Sequence, residues 1–463
     1  MPLMPITDAM FLLGESREHP LHVGGLQVYE LPDGAGPDFV GEQYRQLLAV
    51  DEVAPLFRRR PRGPMNSLFG QWYWTDDDQL DLEYHVRLSA LPTPGRVREL
   101  LELTSRLHGS LLDRYRPLWE FHLIEGLQGR RFASYTKVHH ALLDGVAALK
   151  ILRRSLSEDP TKRDMPPPWA IQEPSRAKQQ PADLVAAPLR GAFAAVRAVG
   201  DLVGLTTTVA SVIDDVLKQQ AATLPFQAPR SMLNVPITGA RRIAAQGWPL
   251  RRVRAVCRAT GVTVNDVMLA MCAGALRRYM LELNALPDRP LVAAVPVSLR
   301  GKTGVAAQDS GNAVGLILCT LATHLEDPAA RLEQIAASMR RGKELYAGLS
   351  AFQITALSAV PIASLLFTPI PGLMRITRPA YNVMISNIPG PRNPLYFNGA
   401  RLQGIYPLSI PYDGQALNIT VTSYADDLEF GLTGDRRSVP SLQRLLTHLE
   451  TSLEELERAT GAV

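Results

Sequence analysis

Cysteine is scarce. The 463 residues hold only Cys257, Cys272 and Cys319, an odd number without C-x-x-C spacing, which leaves neither a disulfide framework nor a structural zinc site to build. One-sided charge is missing as well: 49 Lys and Arg stand against 45 Asp and Glu, and a net +4 is not the dense positive field of a phosphate-tracking protein, so nucleic acid is not the expected partner. There is no G-x-S-x-G, which removes the common serine-hydrolase elbow. The opening MPLMPITDAMFLLGE lacks a basic start and carries Asp8 and Glu15 within its apolar stretch, unlike a secretory signal; together with the few cysteines this points to the cytoplasm. The longest uncharged run, Leu345 to Met374, contains Gln353 and prolines 361, 369 and 371. Backbone groups freed by those prolines are costly in lipid, so the run reads as buried or interfacial rather than bilayer-spanning.

What is present is an alternation of short strand-like and helical patterns, the mark of an α/β protein, on a chain long enough for two domains. The periods predict strands over 26–31 and 132–138 and helices over 97–112 and 145–156. Periodicity then stops in SEDPTKRDMPPPWAIQEPSRAKQQP, Ser157 to Pro181, which reads as an exposed crossover leaving the first domain. The stretch 182–222, rich in Ala, Leu and Val, reads as one or two long helices with a broad apolar face, for packing between domains or for docking on a membrane. The later chain again alternates: a helix over 264–283, strands over 291–297, 381–386 and 417–424, and a closing helix over 441–459. The expected division is 1–180, a helical linker 181–228, and 229–463.

One motif carries chemistry. In YTKVHHALLDGVAALK, two of the nine histidines stand side by side at a strand end, and Asp144 occupies the N-cap position of the helix that follows. An imidazole there can take a proton from an attacking hydroxyl, worth roughly 10²–10⁴ in rate, and His140 is the expected base. His139, one residue earlier on a strand, faces the opposite way and is expected to fix the loop. A core histidine pair with Asp144 as a mere cap is the plainer alternative. A metal site built on His140 and Asp144 lacks a third ligand, because the histidines at 19, 22, 85, 108, 122, 324 and 448 show no ligand spacing.

His139 to Gly145 is similar to the H-H-x-x-x-D-G motif of the coenzyme A-dependent acyltransferase superfamily. Pro117-Leu118-Trp119, Asn265-Asp266, the N-terminal block and NVMISNIPGPRNPLYFNGARL narrow the resemblance to the bacterial wax ester synthase/diacylglycerol acyltransferase family, over nearly the whole chain. The resemblance implies two chloramphenicol acetyltransferase-like domains with the catalytic loop facing a tunnel at their interface. It also implies acyl transfer from acyl-coenzyme A to diacylglycerol or a long-chain alcohol, with no cofactor beyond the acyl-coenzyme A substrate. Asn265 is then expected at the developing oxyanion, or simply as an N-cap beside Thr263. Glu15 would reach across the site toward Asn265, with an exposed surface glutamate as its ordinary reading, and Asp266, Pro117, Leu118 and Trp119 would contact substrate, the last three with core packing as their ordinary reading. A noncatalytic lipid-surface protein of the same fold, or a transferase fed by a carrier-protein thioester, is the alternative function. Peripheral contact with a membrane or lipid droplet fits either.

Overall fold

The computed structural model describes residues 3–63, 72–172, 226–298, 314–347 and 378–462. The helices expected over 182–222, and the uncharged run beyond its first three residues, lie outside them. In the first half the order is α1 (Ile6–Gly14), β1 (His22–Glu30), α2 (Phe39–Leu48), α3 (Pro55–Arg58), β2 (Arg59–Arg62), β3 (Tyr73–Asp76), α4 (Leu82–His85), β4 (Val86–Ala90), α5 (Val97–Gly109), β5 (Trp119–Leu127), β6 (Arg131–His139) and α6 (Gly145–Arg154). In the second half come β7 (Arg241–Pro249), α7 (Leu250–Thr260), α8 (Val264–Glu282), β8 (Val292–Ser298), β9 (Val314–Thr320), α9 (Pro328–Ala347), β10 (Val383–Ile388), β11 (Tyr396–Phe397), β12 (Ala400–Leu408), β13 (Leu417–Tyr424), β14 (Asp427–Asp435) and α10 (Arg444–Thr460).

Two six-stranded sheets form from this order. The first runs β11-β12-β1-β6-β5-β4 and the second β7-β14-β13-β10-β8-β9. The first is completed from the far half of the chain: β1 pairs antiparallel with β6 on one side and with β12 on the other, so that Gly24 lies opposite both Lys137 and Leu408. β12 also lies against β14 of the second sheet. A Cβ on Gly431 would stand 1.9 Å from the Pro407 carbonyl oxygen, so only glycine allows the two backbones to approach this closely. The sheets therefore meet along a seam made by β12, β13 and β14.

α8 is the central helix of the second lobe. From Asp266 through Leu276 every residue is buried, against Leu449 and Leu453 of α10 and Leu332, Ile335 and Met339 of α9. An apolar helix buried all round belongs inside a protein as readily as inside a bilayer. Among the described residues no single helix is long and apolar enough to cross a membrane; α7 and α8 meet both conditions only as a pair, across a bend of 105°.

The crossover after Ser157 departs from expectation. Met165, Trp169 and Ile171 are buried, and the Trp169 ring stacks on Trp119 at 5.3 Å while its carbonyl accepts the Ala54 amide at 2.7 Å. Pro167 is extended, Pro168 opens a single 3-10 turn through Ala170, and Trp169 within that turn pins the segment to the core. A single large anchor of this kind leaves no period to detect.

Candidate active site

The histidine loop is fixed by backbone hydrogen bonds before any side chain acts. β6 ends with the His139 amide donating to the Leu118 carbonyl and the His140 amide donating to Leu21, 3.0 Å each. The chain then turns, with Leu142 and Leu143 donating to the His139 carbonyl, and enters α6, where the Asp144 carboxylate accepts the Ala147 amide at 2.7 Å. Asp144 is thus the N-cap of α6, the position its sequence suggests.

His139 is fully buried and committed. Its Nδ1 accepts the Ala141 amide at 3.1 Å, which leaves the proton on Nε2, 3.3 Å from Glu15 Oε1. Glu15, at the end of α1, is held by Arg114, whose Nε and Nη2 donate to Oε2 at 3.1 and 3.0 Å, and by the Leu21 amide at 3.2 Å. Burial would raise the Glu15 carboxyl, but His139, Arg114 and the Leu21 amide together hold it below its ordinary value. Glu15 therefore reaches His139 and Arg114 rather than Asn265.

His140 is half-buried, and its imidazole has no hydrogen-bond partner from another described residue. One ring face is covered by Phe11 of α1, with centroids 4.2 Å apart and planes 22° from parallel. Burial lowers its pKa and the nearby Asp144 charge pulls part of the way back, so the ring is neutral and basic at neutral pH.

The second lobe approaches through the end of β10. Asn387 Nδ2 donates to Asn265 Oδ1 at 3.5 Å, and Ile388 Cδ1 lies 3.6 Å from where a Cβ on Gly145 would sit. One strand end thus touches both the start of α6 and the start of α8. Asn265 occupies the first turn of α8, beside backbone N–H groups that a helix start leaves open. Thr263 is the N-cap there, accepting the Asp266 amide at 3.3 Å, while Asp266 Oδ2 accepts the Thr263 amide at 2.9 Å and its hydroxyl at 2.7 Å. Asp266, expected at substrate, spends this oxygen on a capping box; its Oδ1 is buried with no partner among the described residues.

Pro117, Leu118 and Trp119 are all buried. Trp119 is buried between His85 and Trp169 and donates its indole N–H to the Phe57 carbonyl at 2.8 Å; Leu118 serves through its carbonyl, which fixes His139. Two residues of the site carried no sequence signal of their own, Phe11 and Arg114. Arg114 stands three residues before Pro117, and that proximity was the one available hint.

The two-sheet arrangement is that of the first condensation domain of the calcium-dependent antibiotic synthetase, which matches at a TM-score of 0.59 and 18% identity over 99% of this chain and 95% of that one, a likeness of fold alone. A wax ester synthase/diacylglycerol acyltransferase from Marinobacter aquaeolei VT8 matches much more fully, at a TM-score of 0.78 and 44% identity over 100% of both chains. Residues 3–268 match the wax ester synthase/diacylglycerol acyltransferase catalytic domain and residues 310–457 the corresponding C-terminal domain. A probable diacylglycerol O-acyltransferase of Mycobacterium tuberculosis is 53% identical over 461 residues, 100% of both chains. The chain belongs to the wax ester synthase/diacylglycerol acyltransferase family.

Proposed function

We propose that this protein transfers a long-chain acyl group from acyl-coenzyme A to the free hydroxyl of diacylglycerol, giving triacylglycerol, and that long-chain alcohols serve as second acceptors. The carrying observation is that the end of β10 touches both the start of α6, the helix that follows the His140 loop, and the start of α8. In this reading His140 removes the hydroxyl proton as the oxygen attacks the thioester carbonyl. The Asn265 amide and the open N–H groups of α8 face the developing oxyanion. When the tetrahedral adduct collapses, the carbon–sulfur bond breaks and the imidazolium protonates the leaving thiolate, so no acyl-enzyme is formed. His139 and Asp144 hold the loop and do not move protons.

The substrates would meet in a tunnel between two domains, 1–180 and 229–463, joined through 181–228. The working compartment is the cytoplasm, at the surface of the lipid that supplies the acceptor. The family and the close relatives, named as diacylglycerol O-acyltransferases, support this donor and acceptor, whereas the balance between diacylglycerol and long-chain alcohols rests on this reading alone.

The test is thiol release from long-chain acyl-coenzyme A with and without diacylglycerol or hexadecanol, with products separated by thin-layer chromatography. Release should require an acceptor, yield triacylglycerol, and fall about 10²–10⁴-fold in folded His140→Ala. Undiminished release in that variant would overturn the mechanism.

A further inference from the structure

Both histidines of the loop are held by one short helix, and that helix is held by one side chain. α1 contributes Phe11 to the face of His140 and delivers Glu15, its C-cap residue, to His139. Arg114, from the loop before β5, touches both functions. Besides its two bonds to Glu15 Oε2, its Nη2 donates to the Leu12 carbonyl at 2.6 Å, one of the carbonyls that the end of α1 leaves without a helical partner. A planar guanidinium can place one edge on a carboxylate while a further N–H reaches a carbonyl; the point charge of an ammonium cannot hold that geometry.

We propose that Arg114 is a positioning residue for acyl transfer, acting on both histidines at once by clamping Glu15 against His139 and the end of α1 under Phe11, so that Phe11 stays stacked on His140. The role rests on the acyltransferase reading given above. The two branches are physically separate. Through Glu15 the clamp fixes the direction of the His139 ring and with it the turn that presents His140. Through Leu12 it fixes the apolar cover that keeps His140 dehydrated, which disfavours imidazolium and keeps the base unprotonated. Among the described residues, the charges acting on His140 are those of Asp144 and His139 on its own loop, and α1 and its clamp bring Glu15 and Arg114 to the His139 side. β10 and the first turn of α8 bring Asn387, Ile388 and Asn265, which do not titrate, and Asp266, which is tied into its capping box.

The separation gives each substitution its own signature. Arg114→Gln should lower kcat about 10- to 100-fold with little change in KM for acyl-coenzyme A, because the base is misplaced rather than the donor site lost. It should also move the acidic limb of the kcat profile up toward 6.5, the ordinary histidine value, as His140 regains water. Phe11→Ala should reproduce the shift of the limb. Glu15→Gln, which keeps the Leu12 bond, should lower kcat without moving the limb. Arg114→Lys should recover only part of the loss.

A second readout needs no turnover: the His140 Cε1–H resonance, titrated by NMR, should follow the same pattern across the variants. It also serves if Arg114→Gln folds poorly, since Arg114→Lys and Phe11→Ala then carry the comparison. Wild-type kcat and an unmoved His140 titration in Arg114→Gln would overturn the proposal, as would a shift in Phe11→Ala that neither Arg114 variant shares. If the wild-type protein forms no acylated product, the acyltransferase reading fails, while the NMR titration still decides whether Arg114 governs the histidines.

Discussion

The two sheets bury different kinds of interior. Behind the first lie His22, His85, His108, His122 and His139 with Lys137 and Glu120, all buried. Seven of the chain's nine histidines fall at or before residue 140. The second is filled by Val, Leu, Ile and Met around α8. The polar groups of the first lobe have specific tasks. Lys137 Nζ lies 3.0 Å from Glu120 and donates to the Leu107 and Ser110 carbonyls at the end of α5, where His22 meets the His108 carbonyl at 2.7 Å. A cation at a helix C-terminus is favourably placed. β6 and β1, whose register puts His22 opposite His139, are thereby tied to a helix end. Both lobes make directional bonds, for in the second the buried Asp435 carboxylate accepts the Thr238 amide and hydroxyl at 2.9 and 2.6 Å; the difference is that most of the buried histidines gather in the lobe that presents the base, while the opposing lobe packs one apolar cluster around α8.

That contrast can be broken most sharply at Trp119. If the first lobe depends on its aromatic stack as well as its polar ties, Trp119→Ala should destabilise the protein by about 3–5 kcal/mol in denaturant unfolding. Transfer per folded molecule should survive, because Trp119 packs against His85, Phe57 and Trp169 and not against His140. A raised KM for acyl-coenzyme A with unchanged stability would instead restore Trp119 to the substrate wall.

One buried group in each lobe should also answer pH in opposite directions. Burial pushes His108 down to about 3 from 6.5, so the unfolded chain binds more protons than the native one between those values, and stability is lost as pH falls below 6.5. Glu429 of β14, in the second sheet, has the opposite sign. Burial, with the nearby Asp427 charge, pushes it up to about 8 from 4.5, and its Oε2 has no partner among the described residues. The native state then holds a proton that the unfolded chain releases, so stability is lost as pH rises from 4.5 through about 8. Glu429→Gln should stabilise by roughly 2 kcal/mol at pH 8 and by little at pH 4.5, whereas His108→Gln should flatten the acid side only. Thermal unfolding from pH 4 to 9 reads both, and parallel pH profiles in the two variants would contradict the contrast.

The smallest effect is expected at the start of α8. Thr263→Ala removes the hydroxyl that caps the helix, and should lower stability by about 1 kcal/mol. If Asn265 works at the oxyanion, kcat should also fall several-fold with KM unchanged. Unchanged kcat would leave the turn purely structural.

Much of this could be read from the chain. The helix expected over 264–283 is Val264–Glu282, the strand over 132–138 is Arg131–His139, and the one over 417–424 is Leu417–Tyr424. Each of these is a local period or a run bounded by turn residues. The histidine loop was legible because a strand end, an Asp-Gly cap and a helix follow in register. Membership of β12 in the first sheet was not, since its partner β1 is hundreds of residues earlier and no local pattern encodes a partner. The Glu15 contacts were not legible for the same reason: Arg114 reaches it from the loop before β5 and His139 from the end of β6, and only the folded sheet brings these together.

The return of β12 to the first sheet bears on how the protein can be divided. A fragment ending near residue 268, where the catalytic-domain match stops, would contain the histidine loop, its clamp and the start of α8, yet it would lack the strand that covers one whole side of β1. That side would then present a row of open N–H and C=O groups next to His22 and His139, a template for pairing with another copy of the fragment. Co-expression with the remaining residues would supply the missing strand, so the two pieces should be soluble as a pair where the first alone aggregates. Synthesis on the ribosome poses the same problem, because the base at residue 140 emerges long before the strand that closes the sheet behind it.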